Sequence, residues 1–247
     1  MMKKILLIIS CILVVSCNSE SGSDCFKSAG NTITEDITTA NFDKINVYEG
    51  IELIIKQAEV TTVKLTTGSN LSNDIEIKVE EGVLKLKNNA TCNWVRDYNL
   101  TKVYVTVPNL TTIYSASQFT VKSDGILNFP MLTLQSGVYK DETSGIIDLE
   151  VNCENLYVES NFVNFFKIKG NTNYLSVNLY AGDARFDGSN LIAQNVEFFQ
   201  RSSNDIIVNP QQRIKGNIYS TGNVILKNNP PIIDIVEHYK GYLVLNQ

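Results

Sequence analysis

Histidine is almost missing from this chain: His238 is the only one among 247 residues. No nucleophile motif lies near it, so a Ser/His/Asp arrangement cannot be assembled around it. The 5 cysteines are scattered and share no ligand-like spacing with His238, so neither a metal centre nor a cofactor is expected. Basic clusters are lacking as well, with 21 Lys and Arg against 26 Asp and Glu. Neutralising phosphates drives most nucleic-acid affinity, so nucleic acid is not an expected partner. There is no glycine-rich phosphate loop, and helical periodicity is nearly absent.

Long apolar runs are missing too, with one exception at the start. Lys3 and Lys4 precede Ile5 to Val15, an apolar run broken only by Ser10 and Cys11. That length suits the core of a signal peptide and falls short of the roughly 20 residues a membrane-spanning helix needs. The run ends in Val14-Val15-Ser16-Cys17, a small residue immediately before a cysteine, as in the lipobox of bacterial lipoproteins. Residues 1–16 are therefore read as a lipoprotein signal peptide and Cys17 as the lipidated first mature residue. Several acyl chains would give a stable anchor, at about 0.8 kcal/mol per buried methylene. The plainer alternative is an ordinary cleaved signal with Cys17 incidental. Residues 17–24, small, polar and acidic after the cysteine, read as a flexible tether, and 25–247 as one domain. The expected location is the outer membrane of a Gram-negative bacterium, on the periplasmic face or the cell surface, with the Cys17 lipid as the membrane contact.

Loss of the two leader lysines leaves the mature part with 19 basic and 26 acidic side chains, a net charge near −7. Of its cysteines, Cys25, Cys92 and Cys153 are available for pairing. In an oxidising envelope a disulfide is expected, and Cys25, beside the tether, with Cys92, in a polar loop, is the favoured pair. Cys153 falls in the strand-like Leu149-Glu150-Val151-Asn152-Cys153 and reads as a buried free thiol; a bridge through it is the alternative.

What is present is period-two alternation. It runs through Ile45–Tyr48, Ile51–Lys56, Val63–Thr66, Ile75–Val79, Val83–Lys87 and Val103–Val107, with Glu81-Gly82 as a turn and Pro108 as a stop. These segments read as isolated, hairpin-like strands with one buried and one wet face. From about Leu110 a loose repeat takes over. Strand cores begin near Ile113, Leu132, Leu156, Leu175, Val196 and Ile214, at intervals of 19, 24, 19, 21 and 18 residues. All-strand repeats near this length point to the coils of a β-helix, each too small to bury its own apolar face and each covered by its neighbours. The alternative is a β-sandwich. That fold favours Asn-Gly or Asp-Gly hairpin turns, and only Asp124-Gly125 and Asp187-Gly188 occur between strands.

Asp24–Gly30, Asn41–Ile45, Cys92–Arg96 and Val105–Leu110 together resemble the putative auto-transporter adhesin, head GIN domain family of Bacteroidetes-type lipoproteins. The likeness extends over roughly residues 24–245 and implies a right-handed, single-stranded β-helix without known catalytic residues. The family's Gly-Ser-Gly turns survive only in altered form, as at Ser115-Ala116-Ser117, Gly188-Ser189-Asn190 and Ser220-Thr221-Gly222-Asn223.

Several residues invite a site. Asp183-Ala184-Arg185-Phe186-Asp187-Gly188 echoes a calcium loop, yet Arg185 takes the middle ligand position and no Glu closes the loop. On a strand, Asp183, Arg185 and Asp187 share one face as a solvated ion cluster, with Ala184 and Phe186 inward. Trp94 and Tyr98, with Phe165 and Phe166, are the candidate binding surface for a protein or glycan, set against the plainer reading in which they fill the core or cover a disulfide. Glycan-cleaving chemistry needs paired carboxylates, and Asp141, Glu142, Asp148 and Glu159 stand singly. The sequence therefore points to a non-enzymatic envelope lipoprotein presenting a β-solenoid for adhesion or recognition. A structural scaffold without a discrete ligand is one alternative, and a polysaccharide-processing enzyme on a β-helix is another.

Overall fold

The computed structural model describes residues 27–90, 101–138 and 144–246. Seven strands come first: β1 (Thr32–Ile37), β2 (Lys44–Val47), β3 (Glu52–Gln57), β4 (Thr62–Gly68), β5 (Ile75–Glu80), β6 (Val83–Asn88) and β7 (Lys102–Val107). Three short strands follow, β8 (Thr112–Ser115), β9 (Val121–Leu127) and β10 (Met131–Ser136). Then come four long ones, β11 (Ile146–Ser160), β12 (Phe165–Leu179), β13 (Arg185–Gln200) and β14 (Ile206–Ile218). The set closes with β15 (Val224–Leu226), β16 (Ile232–Glu237) and β17 (Leu243–Val244). Among the described residues the only helical element is a short turn at Ser72–Asp74.

These strands wind into a β-solenoid. One flank is a ladder of β6, β2, β8, β10, the second halves of β11 to β14, and β16, all parallel. The other flank carries β7, β3, β9, the first halves of β11 to β14, then β15 and β17, again parallel. The long strands bend from the second flank to the first, so two short rows of the sheet belong to one continuous strand. Parallel pairing between successive coils is the opposite of what a Greek-key sandwich requires, and the sandwich alternative falls with it.

The repeat read from the sequence is the register of the first flank. Leu132 faces Leu156, Leu156 faces Leu175, Leu175 faces Val196, and Val196 faces Ile214. Ile113 enters this column two residues off, opposite Leu134. Alternate residues of β10 to β14 point inward and are buried in one core that runs the length of the shaft. The second flank stacks Ile147, Phe166, Phe186 and Ile206 in the same way.

Before residue 110 the structure departs from the sequence reading. β2 with β3, and β6 with β7, are coils of the same solenoid and not free hairpins. Their order in space differs from their order in the chain, because β8 and β9 stack on β2 and β3 while β6 and β7 stack on the other side. The chain between them forms an antiparallel end. There β4 pairs with β7 and β1, while β5 pairs with β6 across the turn at Glu81 and Gly82, with φ of 52° and 76°. Glycine at the second position makes this left-handed turn inexpensive. The two acid-glycine pairs, Asp124-Gly125 in β9 and Asp187-Gly188 in β13, coincide with register shifts inside parallel ladders. They bulge the strand without reversing it.

Candidate recognition surfaces

Of the residues singled out from the sequence, Cys17, Cys25, Cys92, Trp94 and Tyr98 lie outside the described residues, as do the signal peptide and the tether. Phe165 and Phe166 open β12 as neighbours, and a strand sends neighbours to opposite sides. Phe166 is fully buried between Ile147 and Phe186, so it belongs to the core and drops out of the contact surface. Phe165 stays outside, half-buried, with the Arg185 guanidinium 5.6 Å from its ring centroid. That contact also corrects the expected ion cluster. Ala184 and Phe186 do point inward. Outside, however, Arg185 sits on an aromatic ring, Asp183 accepts from the Ser203 hydroxyl at 2.6 Å, and Asp187 accepts from the Ser189 N–H at 3.1 Å. Cys153 is buried and free, its thiol 3.7 Å from the Thr172 hydroxyl, and burial pushes its pKa up.

Two outward features went unnoticed in the sequence. The first is a row of aromatic rings at the end of the first flank, one per coil. Tyr180, Phe199, Tyr219 and His238 follow one another at centroid distances of 5.9, 5.1 and 4.2 Å, and the last pair is stacked within 6° of parallel. Stacked rings hide their faces and present their edges, so the row stiffens the flank more than it offers a platform for a sugar. Beside it, Tyr157 and Tyr174 pack at 5.9 Å. Carboxylates stand among these rings, and each has partners. Glu159 accepts from Gln135 at 2.8 Å and lies 3.4 Å from the Tyr180 hydroxyl. Glu197 accepts from the Tyr174 hydroxyl at 2.7 Å and pairs with Lys215 at 3.0 Å. Burial and that carboxylate push the Tyr174 pKa up to about 12, while the hydrogen bond from Tyr174 holds Glu197 below the usual carboxylate range.

The second feature is an open cleft of about 330 Å³ at the corner where the long strands turn between flanks. Half of its lining is amide side chains, Asn128, Asn152, Asn171, Asn173 and Gln194, and the rest includes Glu154, Thr172, Pro130 and Ile192. Asn152 donates to Asn128 at 3.0 Å, and Asn173 donates to Glu154. Stacking sets Asn128, Asn152 and Asn171 at the same corner of three successive coils, and Ile192 takes that position in the next. Such a strip offers hydrogen bonds of both senses to a chain of hydroxyls.

Inside the opposite bends, buried serines hold the coils together. Ser117 donates to the Ile51 carbonyl at 2.7 Å and accepts from the Phe119 N–H at 3.1 Å. Ser202 repeats the plan with the Ala184 carbonyl at 2.7 Å and the Asn204 N–H at 3.2 Å. In each, an inward residue two positions earlier accepts the serine N–H: Ser115 in one bend, Gln200 in the other. The altered turn at Ser115-Ala116-Ser117 and the bend at Ser202 thus each satisfy buried backbone groups, which would otherwise cost on the order of 1–3 kcal/mol each. Among the described residues no group of His, Cys, Asp or Glu is arranged to hold a metal ion, and no helix is long and apolar enough to cross a membrane.

Residues 41–230 match the model of the putative auto-transporter adhesin, head GIN domain. No curated protein matches the chain. Among solved structures, a putative adhesin from Bacteroides fragilis superposes with a TM-score of 0.79 at 21% identity, covering 88% of this chain and 99% of its own. A putative adhesin from Parabacteroides merdae gives a TM-score of 0.65 at 15% identity, covering 89% of this chain and 98% of its own. A putative lipid binding protein from Parabacteroides distasonis also gives 0.65, at 18% identity, covering 88% and 98%. At these identities the likeness is one of fold.

Proposed function

The chain belongs to the putative auto-transporter adhesin, head GIN domain family, and on that premise we propose that it is a non-enzymatic adhesion module of the cell envelope. In this reading Cys17 carries the lipid that holds it to the membrane, and the shaft displays a recognition strip for an extended glycan. The observation that supports it most is the corner cleft, where amides of neighbouring coils line up along the axis. A polysaccharide laid along that strip would meet the amides of Asn128, Asn152 and Asn171 in three successive coils, and affinity would come from several weak contacts in register. The outward carboxylates Glu154, Glu159 and Glu197 already accept hydrogen bonds from neighbouring side chains, which suits a passive surface. The test is a glycan array probed with the full chain, alongside a variant carrying Asn152→Ala and Asn171→Ala. Binding to a neutral polysaccharide that the double variant loses supports the reading; binding that the variant keeps, or hydrolysis of the glycan, overturns it.

A further inference from the structure

Two columns of side chains flank the corner cleft. Asn128, Asn152 and Asn171 form the first, and Ile192 continues it in the next coil. Glu154, Asn173 and Gln194 form the second. They lie between the register pairs Cys153 with Thr172 and Asn155 with Tyr174, then Thr172 with Ala193 and Tyr174 with Asn195. Cys153 and Thr172, both buried, make the floor. Burial, and behind it the Glu154 carboxylate, pushes the Cys153 pKa up, so the thiol in the floor stays uncharged.

Of the ten residues that line the cleft, Glu154 alone is charged. Its backbone is fixed on both sides. The N–H donates to the Pro130 carbonyl at 3.0 Å, and the carbonyl accepts from the Thr172 hydroxyl at 3.4 Å. Its exposed carboxylate accepts from the Asn173 amide through one oxygen and forms no ion pair among the described residues. Carboxylates elsewhere on these coils are neutralised: Asp148, Glu150 and Glu197 each hold a lysine, at 3.1, 3.0 and 3.0 Å. The charge of Glu154 is left to act on whatever enters the cleft.

We propose that Glu154 sets the ligand class of the cleft, admitting uncharged glycans and turning away acidic ones such as polyuronates. The proposal rests on the glycan reading of the same cleft. The second carboxylate oxygen accepts from a sugar hydroxyl, and a charged acceptor makes the stronger hydrogen bond. A uronate carboxylate has no proton to give. It meets Glu154 as a like charge, and no basic side chain in the lining offsets the repulsion. The amides alone would not discriminate, since they donate to a carboxylate as readily as to a hydroxyl.

The experiment is equilibrium binding of the full chain to neutral glucans, mannans and galactans, each beside the same polymer with its C6 hydroxymethyl groups oxidised to carboxylates. At low salt wild type binds a neutral member, and binds its oxidised form about tenfold or more weakly. The gap narrows as salt rises past about 0.1 M, where the screening length falls to about 10 Å. Glu154→Gln keeps a carbonyl acceptor, so it retains the neutral polymer and closes most of the gap. Asp36→Asn makes the same change in net charge on β1, outside the cleft, and leaves the gap as it was. A gap that Glu154→Gln does not reduce, or that salt does not narrow, overturns the proposal, as does equal binding of both forms by wild type. The glycan reading survives those results if Asn152→Ala with Asn171→Ala still removes the neutral polymer. Binding to no polymer overturns the reading and the proposal together.

Discussion

The two ends of the solenoid are built from the same strand chemistry and finished in opposite ways. At the N-terminal end the chain doubles back, and antiparallel β4, β1 and β5 cover the first coils. The outer edge strand β5 alternates Ile75, Ile77 and Val79, packed against the core, with Glu76, Lys78 and Glu80, which pair among themselves. A charged, antiparallel rim is how sheets refuse further strands. The C-terminal coil keeps the parallel direction to its last strand and leaves aliphatic and tyrosine side chains in the open. One guard is present: Glu237 occupies an inward position above Ile218 and accepts the Leu243 N–H at 2.8 Å.

The sharpest contrast lies between the covered coils and the open one. Phe186→Ala removes a fully buried ring from mid-shaft and should cost about 3–5 kcal/mol in chemical denaturation. Ile232→Ser, on the outward face of the end coil, is the opposite case, with an expected change within about 0.5 kcal/mol; a loss comparable to that of Phe186→Ala would mean that this side chain is packed. Next in size is the covered end. Glu52 is buried on the outer side of β3, with Lys102 at 3.2 Å and Lys122 at 2.6 Å. Glu52→Gln leaves two ammonium groups without their shared carboxylate, and a fall of about 1–3 kcal/mol in unfolding free energy is expected. Ser202→Ala, which strips the bend of its bond to the Ala184 carbonyl, should cost about 1–2 kcal/mol, and a neutral result would show that this bend is filled by other means.

The smallest effect is one of pH. The raised Tyr174 pKa favours the neutral phenol in the folded chain. Its stabilisation is therefore complete below the ordinary tyrosine pKa of about 10 and fades as the pH climbs through about 12. Glu197 works in the other direction: its lowered pKa adds stability above the ordinary carboxylate range, lost as the solution is acidified. In an ultraviolet titration of tyrosinate, Glu197→Gln should bring Tyr174 back toward its ordinary value. An unchanged titration would separate the two groups.

Much of the shaft was legible in the sequence because stacking imposes a period. Leu132, Leu156, Leu175, Val196 and Ile214 are both the sequence repeat and one column of the core. The early coils were illegible for the same reason. An antiparallel excursion separates β2 from its stacking partner β8, so Ile45 and Ile113 face each other across 68 residues and no short period survives. Phe166 was offered to the surface because three phenylalanines crowd one segment. The alternation Phe166, Ile168 along β12 shows which of them must turn inward. The aromatic row and the amide corner did leave a signal. Tyr180, Phe199, Tyr219 and His238 recur every 19 or 20 residues, and Asn128, Asn152 and Asn171 follow the 24- and 19-residue steps of the core repeat. These periods lie among outward polar and aromatic residues, which the apolar repeat of the core does not display.

In-register stacking of parallel coils is tested most directly by engineered cysteines on the outer side of β13 and β14. Glu197 and Lys215 are register partners, and adjacent strands lie about 4.8 Å apart, within reach of a disulfide. The Glu197→Cys, Lys215→Cys chain should form that bond under mild oxidation and keep its melting temperature. The pair shifted by one outward position, Glu197→Cys with Asn217→Cys, should stay reduced, since its Cα atoms would be roughly 8 Å apart. Bridging in the shifted pair but not in the first would contradict the register, and with it the solenoid as described.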